Sequence, residues 1–380
     1  MLPPLQPRPR QHPHPHSVGR HNDPDGAIRL TDNDAAIARL SAVQRHYLAD
    51  PFITHFVPRA HLQPVRPPLI NIGTYVRSEA LDELVDRWLA LAEQEGKPCQ
   101  IVSFGAGSDT RFWRITAGKR NSWLNTYIEL DFAENTIKKA MAIRKSKDLS
   151  AILGKPEDVK LANGGTSLHS PKYHLLPIDL RLPPKEALAP LLTAPSPVSS
   201  TTQSILSPSL PCLMLFECVL VYMSPAASNA LIEWFVDYFS DNPAQGGSSV
   251  LGGIVYEMFG LGDAFGKVML KNLQASRFYA RNVSLPGVDP YPTLLSLPER
   301  FLQHGYTASQ ALTLREIRRA HISRSELERI SHLEMLDEIE ELELVLEHYA
   351  ITWGLKLPPD GSGLKAKWET WGLTAKEQEE

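Results

Sequence analysis

Two glycines and three acids are the residues whose placing in this sequence could do chemistry. The run QIVSFGAGSDT, from Gln100, is apolar as far as Phe104 and then breaks into Gly105 and Gly107. Glycines where a strand ends serve a tight turn, or let a ligand lie against backbone N–H groups; at this point both uses stay open. Thr110, ahead of Arg111, stands where G-x-G-x-x-G would need Gly or Ala, so the run is not a dinucleotide fingerprint. The stretch YIELDF puts Asp131 about two dozen residues further on, where a carboxylate can accept both ribose hydroxyls of an adenosine ligand. PIDL supplies Asp179 and Leu180, and LFECVLVYM supplies Glu217 inside an apolar run. A carboxylate in such a run is costly unless it is paired or bonded to a ligand. An acidic crevice of this kind suits the hydroxyl, amide and cationic donors of an adenosine-type ligand. A triphosphate would instead want a P-loop and its lysine, which the sequence lacks.

The elements that must position these residues alternate. SEALDELVDRWLALAEQEG spaces Leu81, Leu84, Val85, Trp88 and Leu89 as one helix face, with Ser78 as N-cap and Gly96 as stop. Strands are expected at 100–104, 126–130, 173–178, 212–216 and 250–256, with helices near 133–147 and 225–239. Strands alternating with helices predict an α/β fold, a mainly parallel sheet covered on both faces, whose ligands bind at the carboxyl ends of the strands.

The totals bound the function. The 380 residues carry 39 basic and 43 acidic side chains, a net charge of −4, without the positive field that neutralises nucleic-acid phosphates. Cys99, Cys212 and Cys218 are too few and oddly numbered for a disulfide framework, no zinc-type spacing appears, and no metal site is expected. No apolar run approaches the roughly 20 residues of a membrane span, and the first residues lack a signal-peptide core, so a cytoplasmic protein without a membrane partner is expected. Residues 1–25, rich in Pro, His and Arg, read as a disordered tail, 193–209 as a surface insertion, and 357–380 as a polar tail, leaving 26–356 as one domain. The run SHLEMLDEIEELELVLEHY reads as an amphipathic helix with a solvated acidic side.

VSFGAGSDTRFWRI resembles the glycine-loop signature of the leucine carboxyl methyltransferase family, a branch of the class I S-adenosylmethionine (SAM) methyltransferases. PPLINIGTYVR, ECVLVYM and YEMFGLGDAFGKVMLKNL are similar to segments of its eukaryotic members, over about 32–354; Met258 stands where animal members commonly have glutamine. The resemblance implies a Rossmann-like fold with added helical N-terminal and lid segments, and SAM as methyl donor. It implies that Arg39 and Arg77 reach the methionine end of SAM and that Gly105 lies under the ligand. It further implies that Asp131 takes the ribose, Asp179 and Leu180 flank the adenine, and Glu217 sits beside the methionine. The implied acceptor is the C-terminal leucine carboxylate of the protein phosphatase 2A catalytic subunit, methylated by a monomeric enzyme. A peptide α-carboxyl, with a pKa of about 3.5, is already ionised at pH 7 and needs no general base, so the expected catalytic contribution of Arg77 and Tyr222 is positioning. A small-molecule O-methyltransferase and a non-catalytic SAM-binding protein are the competing readings.

Overall fold

Cys99–Phe104, the apolar run ahead of the glycines, is buried at every position and forms β1, near the middle of a nine-stranded sheet. The computed structural model describes residues 25–198, 202–240, 249–274, 284–337, 339–358 and 367–376. The other strands are β2 (Leu124–Asp131), β3 (Lys160–Ala162), β4 (Ser167–His169), β5 (Tyr173–Pro177), β6 (Cys212–Glu217), β7 (Leu251–Met258), β8 (Ala308–Thr313) and β9 (Tyr349–Lys356). They lie in the order β3-β4-β5-β2-β1-β6-β7-β9-β8. The run β5-β2-β1-β6-β7 is parallel; β9 and β8 close one edge antiparallel, β9 slotting between β7 and β8, and β3 and β4 close the other.

The five parallel strands were expected within a residue or two, because a strand buried on both faces reads as an unbroken apolar run. Alternate residues enter two cores. Ile101 faces the long helix Pro68–Glu95 with Trp88 and Trp113, while Val102 and Phe104 face Phe216 and Phe235. Phe104 and Phe216 stack at 4.3 Å. Register levels the carboxyl ends: Phe104 lies beside Leu130 and Phe216, Asp131 beside Pro177, and Glu217 beside Tyr256. Gly105, Asp131, Asp179 and Glu217 therefore emerge along one edge of the sheet.

Several local expectations change. Ser78 is no N-cap: its helix starts ten residues earlier at Pro68, whose fixed φ suits a first turn, so Ser78 lies inside it, its hydroxyl accepting from Arg39 at 3.2 Å. Gly96 does end that helix, at φ 66°. The acidic run after Ser331 is not one helix; a helix ends at Ser331 and another covers Ile339–Glu347, with Leu342 and Leu346 buried. The 357–380 segment is not wholly a polar tail. Trp368 and Trp371 are buried against Trp88, with ring centroids 4.5 and 5.0 Å away, because two indoles offer more apolar area than their charged neighbours can keep in water. Likewise Ile205 and Leu206 of the expected surface insertion are buried. The Pro/His tail to residue 24 lies outside the described residues. No described helix is long and apolar enough to cross a membrane.

Candidate functional site

The aligned strand ends open into a cavity of about 340 Å³, roofed by the helix Gly26–Gln44. Gly105, Asp131, Asp179, Leu180, Glu217, Arg39, Arg77 and Tyr222 all line it, so one cavity gathers every residue singled out in the sequence.

Both glycines serve the turn. Gly105 and Gly107 have φ of 59° and 44°, which side chains resist, and a Cβ on Gly105 would stand 2.7 Å from a Val219 methyl. The loop amides, however, are not left for a phosphate. Gly107 N–H donates to Asp131 Oδ2 at 2.7 Å, and Ser108 N–H donates to Asp32 Oδ1 at 2.6 Å, with the Ser108 hydroxyl donating to Asp32 Oδ2 at 3.0 Å. Two carboxylates occupy the donors a phosphate would use, so the loop suits a nucleoside without phosphates.

Asp131 also accepts from Phe132 N–H at 2.7 Å and from the Asn135 amide at 2.9 Å, which fixes its carboxylate at the mouth of β2. Burial raises its pKa, and the donated bonds offset part of that rise. Asp179 is gripped by Arg181, Nε to Oδ1 at 2.8 Å and Nη2 to Oδ2 at 2.7 Å, and this pairing holds its pKa down. The same guanidinium forks onto Asp25 at 2.6 and 2.7 Å, fastening the start of the roof helix to the β5 loop. Leu180, half-buried, gives this end of the cavity an apolar surface.

Glu217 is the centre of an ion network. Arg77 donates to Oε2 through Nη2 at 2.6 Å and Nε at 3.1 Å, and Arg111 donates to Oε1 at 2.7 Å. Arg111 continues to Asp109 at 2.8 Å and to Asp82 at 3.1 Å; Asp82 also accepts from Arg114 at 3.2 Å. Asp50 takes Arg39 Nε and the Thr110 hydroxyl, each at 2.5 Å. Arg39, Arg77, Arg111 and Arg114 thus face Asp50, Asp82, Asp109 and Glu217, so the formal charges cancel and none is left buried alone. Burial works against ionising Glu217, but Arg111 and Arg77 outweigh it and bring its pKa to about 2. Arg77 also lies 4.4 Å over the Tyr256 ring. Arg39 lines the cavity with its Nε and Nη1 already committed, to Asp50 and Ser78.

Beyond Glu217 the lining turns apolar. Tyr222 belongs to a cluster with Met258, Leu273 and Tyr349, all four lining the cavity. Cys218, at φ 54°, joins them, and burial pushes its thiol up to about 11 and raises the Tyr349 phenol. No histidine lines the cavity among the described residues. Nor do the described residues hold a cluster of His, Cys, Asp and Glu fit for a metal ion.

Sequence reasoning missed Asp32, Asp50, Asp82, Arg111 and Arg114 as parts of the site. For the two arginines a signal existed: RFWR places them three apart around Phe112 and Trp113, which are both buried. A charge in that setting needs a partner.

Sheet order, the glycine loop after β1 and the acid that ends β2 together define the architecture of the class I SAM-dependent methyltransferases. Within that class the chain belongs to the leucine carboxyl methyltransferase family, whose model matches residues 27–236. It is 42% identical over 385 residues to leucine carboxyl methyltransferase 1 of Cryptococcus neoformans, covering 94% of this chain and 98% of that protein. To leucine carboxyl methyltransferase 1 of Bos taurus it is 33% identical, over 87% of this chain and 90% of that protein. A solved structure of a putative methyltransferase from Thermobifida fusca aligns with 90% of this chain and 99% of its own at a TM-score of 0.41 and 13% identity.

Proposed function

We propose that the protein transfers the methyl group of SAM to the C-terminal leucine α-carboxylate of the protein phosphatase 2A catalytic subunit, forming a methyl ester, and does so in the cytoplasm. The strand order supports a matching order of ligand parts: adenine against Asp179 and Leu180 after β5, ribose on Asp131 after β2, methionine over Gly105 and beside Glu217 and Arg77 between β1 and β6. When bound, SAM supplies an electrophilic methyl, and the acceptor oxygen takes it as the carbon–sulfur bond breaks, its electron pair returning to sulfur. Arg77 holds the methionine carboxylate while Glu217 keeps the guanidinium in place. Tyr222 borders the acceptor and fixes its approach.

The observation that carries this reading is the lining beyond Glu217. Among the described residues it has no histidine, and its thiol and the Tyr349 phenol are driven by burial toward their neutral forms. An alcohol or phenol acceptor would need a base there; an ionised carboxylate does not. The apolar cluster around Met258 offers a leucine side chain a surface that would leave a charged residue unpaired. The test is to incubate the protein with methyl-labelled SAM and the phosphatase catalytic subunit, with or without its last leucine. Base-labile label on the intact subunit alone supports the proposal. Label on small metabolites only, or SAM binding without turnover, would replace it with one of the competing readings.

A further inference from the structure

The helix Ala264–Gln274 is one wall at the apolar end of the cavity, which Leu273 reaches near its last turn. Its first turn is fixed by Asp263, whose Oδ1 accepts the Gly266 N–H at 2.7 Å. That carboxylate is held in turn from across the fold. His348 Nε2 lies 3.2 and 3.1 Å from the two oxygens of Asp263, while Nδ1 lies 2.8 Å from the Leu344 carbonyl and the ring sits 5.2 Å from Phe265. The imidazole is 6% exposed and Asp263 is 60% exposed, so a buried ring reaches outward to hold a surface acid. The core does not need this contact. β9, which starts one residue later, is secured to β7 by its own ladder, and the His348 carbonyl accepts Phe259 N–H at 3.0 Å. What the contact does join is two lining residues on separate elements: Tyr349, next to His348, and Leu273, on the helix that Asp263 begins.

We propose that His348 is a positioning residue for the methyl acceptor: by donating from Nε2 to Asp263 it sets where the helix Ala264–Gln274 stands against the cavity, and so the width of the acceptor end. The inference rests on the assignment of that end to the acceptor rather than to SAM. Both ring nitrogens face acceptors, Nε2 the Asp263 carboxylate and Nδ1 the Leu344 carbonyl, so the ring makes the two bonds together by donating from both, and the Leu344 and Phe265 contacts limit its freedom to swing away. A loosened helix would leave the residues assigned to methionine, ribose and adenine untouched, since among the described residues of 264–274 only Leu273 lines the cavity, at its apolar end.

The experiment uses the full chain and a peptide carrying the phosphatase C-terminus. His348→Ala raises the peptide KM about tenfold, with the SAM Kd unchanged, since displacing a wall by about 1 Å is enough for an effect of this size. Hydrogen exchange of the 264–274 amides becomes faster while exchange in β1 and β2 does not. His348→Gln, whose amide can donate where Nε2 does, restores both. Asp263→Ser keeps an acceptor for Gly266 N–H but is too short to meet the ring, and reproduces the KM rise without touching the buried histidine, which covers the case of an alanine variant that fails to fold. Unchanged helix exchange, a loosened helix with unchanged KM, or a failure of glutamine to restore either would overturn the proposal. If the wild-type protein leaves the peptide unmethylated, the acceptor reading falls instead, and the exchange rates alone still decide whether His348 holds the helix.

Discussion

Replacing Glu217 by glutamine should destabilise the ligand-free protein in a way that pH reveals. The carboxylate is only 20% exposed and stands between Arg77 and Arg111, at 2.6 and 2.7 Å. Its pKa falls from the ordinary 4.5 to about 2 because these guanidinium groups outweigh the opposing effect of burial. At about 1.36 kcal/mol per pKa unit, that difference amounts to roughly 3 kcal/mol of folding free energy held by the ionised form. A folded-state pKa below the unfolded one gives stability that is complete above about 4.5, declines as the pH falls, and is gone below about 2. The amide mimics the protonated acid without titrating. Urea unfolding of wild type and Glu217→Gln should therefore differ by about 3 kcal/mol at pH 7. The difference should hold down to about pH 5.5 and shrink by pH 3.5. Neither equal stability at pH 7 nor a gap of the same size at pH 6 and pH 3.5 fits a carboxylate ionised by its two arginines, and either result would remove that role from Glu217.

Asp131→Ala removes the acceptor of two backbone N–H groups as well as the proposed ribose contact, so calorimetry should show SAM bound at least about tenfold more weakly, with ligand-free stability lower by about 1–3 kcal/mol. Gly105→Ala should also lose on both counts. Its φ of 59° costs a side chain about 1–2 kcal/mol before the approach to Val219 is counted, which thermal unfolding without ligand would register. Trp368→Ala should cost about 3–5 kcal/mol in urea unfolding despite its place in a stretch of charged residues, since the indole is fully buried against Trp88.

What the sequence made legible follows burial and distance along the chain. The strands β1, β2, β5, β6 and β7 are buried on nearly every position and read directly from apolar runs. The edge strands escaped: β3 and β4 have three residues each, and β8 is half-exposed along most of its length, so neither length nor pattern separated them from loops. Asp131, Asp179 and Glu217 were legible because each ends an apolar run. Their partners were not. Arg77 and Glu217 lie 140 residues apart, Asp32 and Ser108 76, and a single charge on a helix gives no sign of which distant strand it will meet. Arg77 was named through family resemblance rather than through any pattern of its own. Trp368 was missed because charged neighbours in KWETWG mask two buried indoles.

The proposed acceptor is an already ionised leucine carboxylate, methylated without a side-chain base. The most direct test compares two peptides with the phosphatase C-terminal sequence, one ending in leucine and one in leucine amide, at saturating methyl-labelled SAM and over a range of pH. Base-labile label is expected on the free acid and none on the amide, with a rate that stays level across neutrality. Label on the amide peptide, or a rate that rises and falls around a pKa near 7 while SAM binding holds constant, would contradict that acceptor.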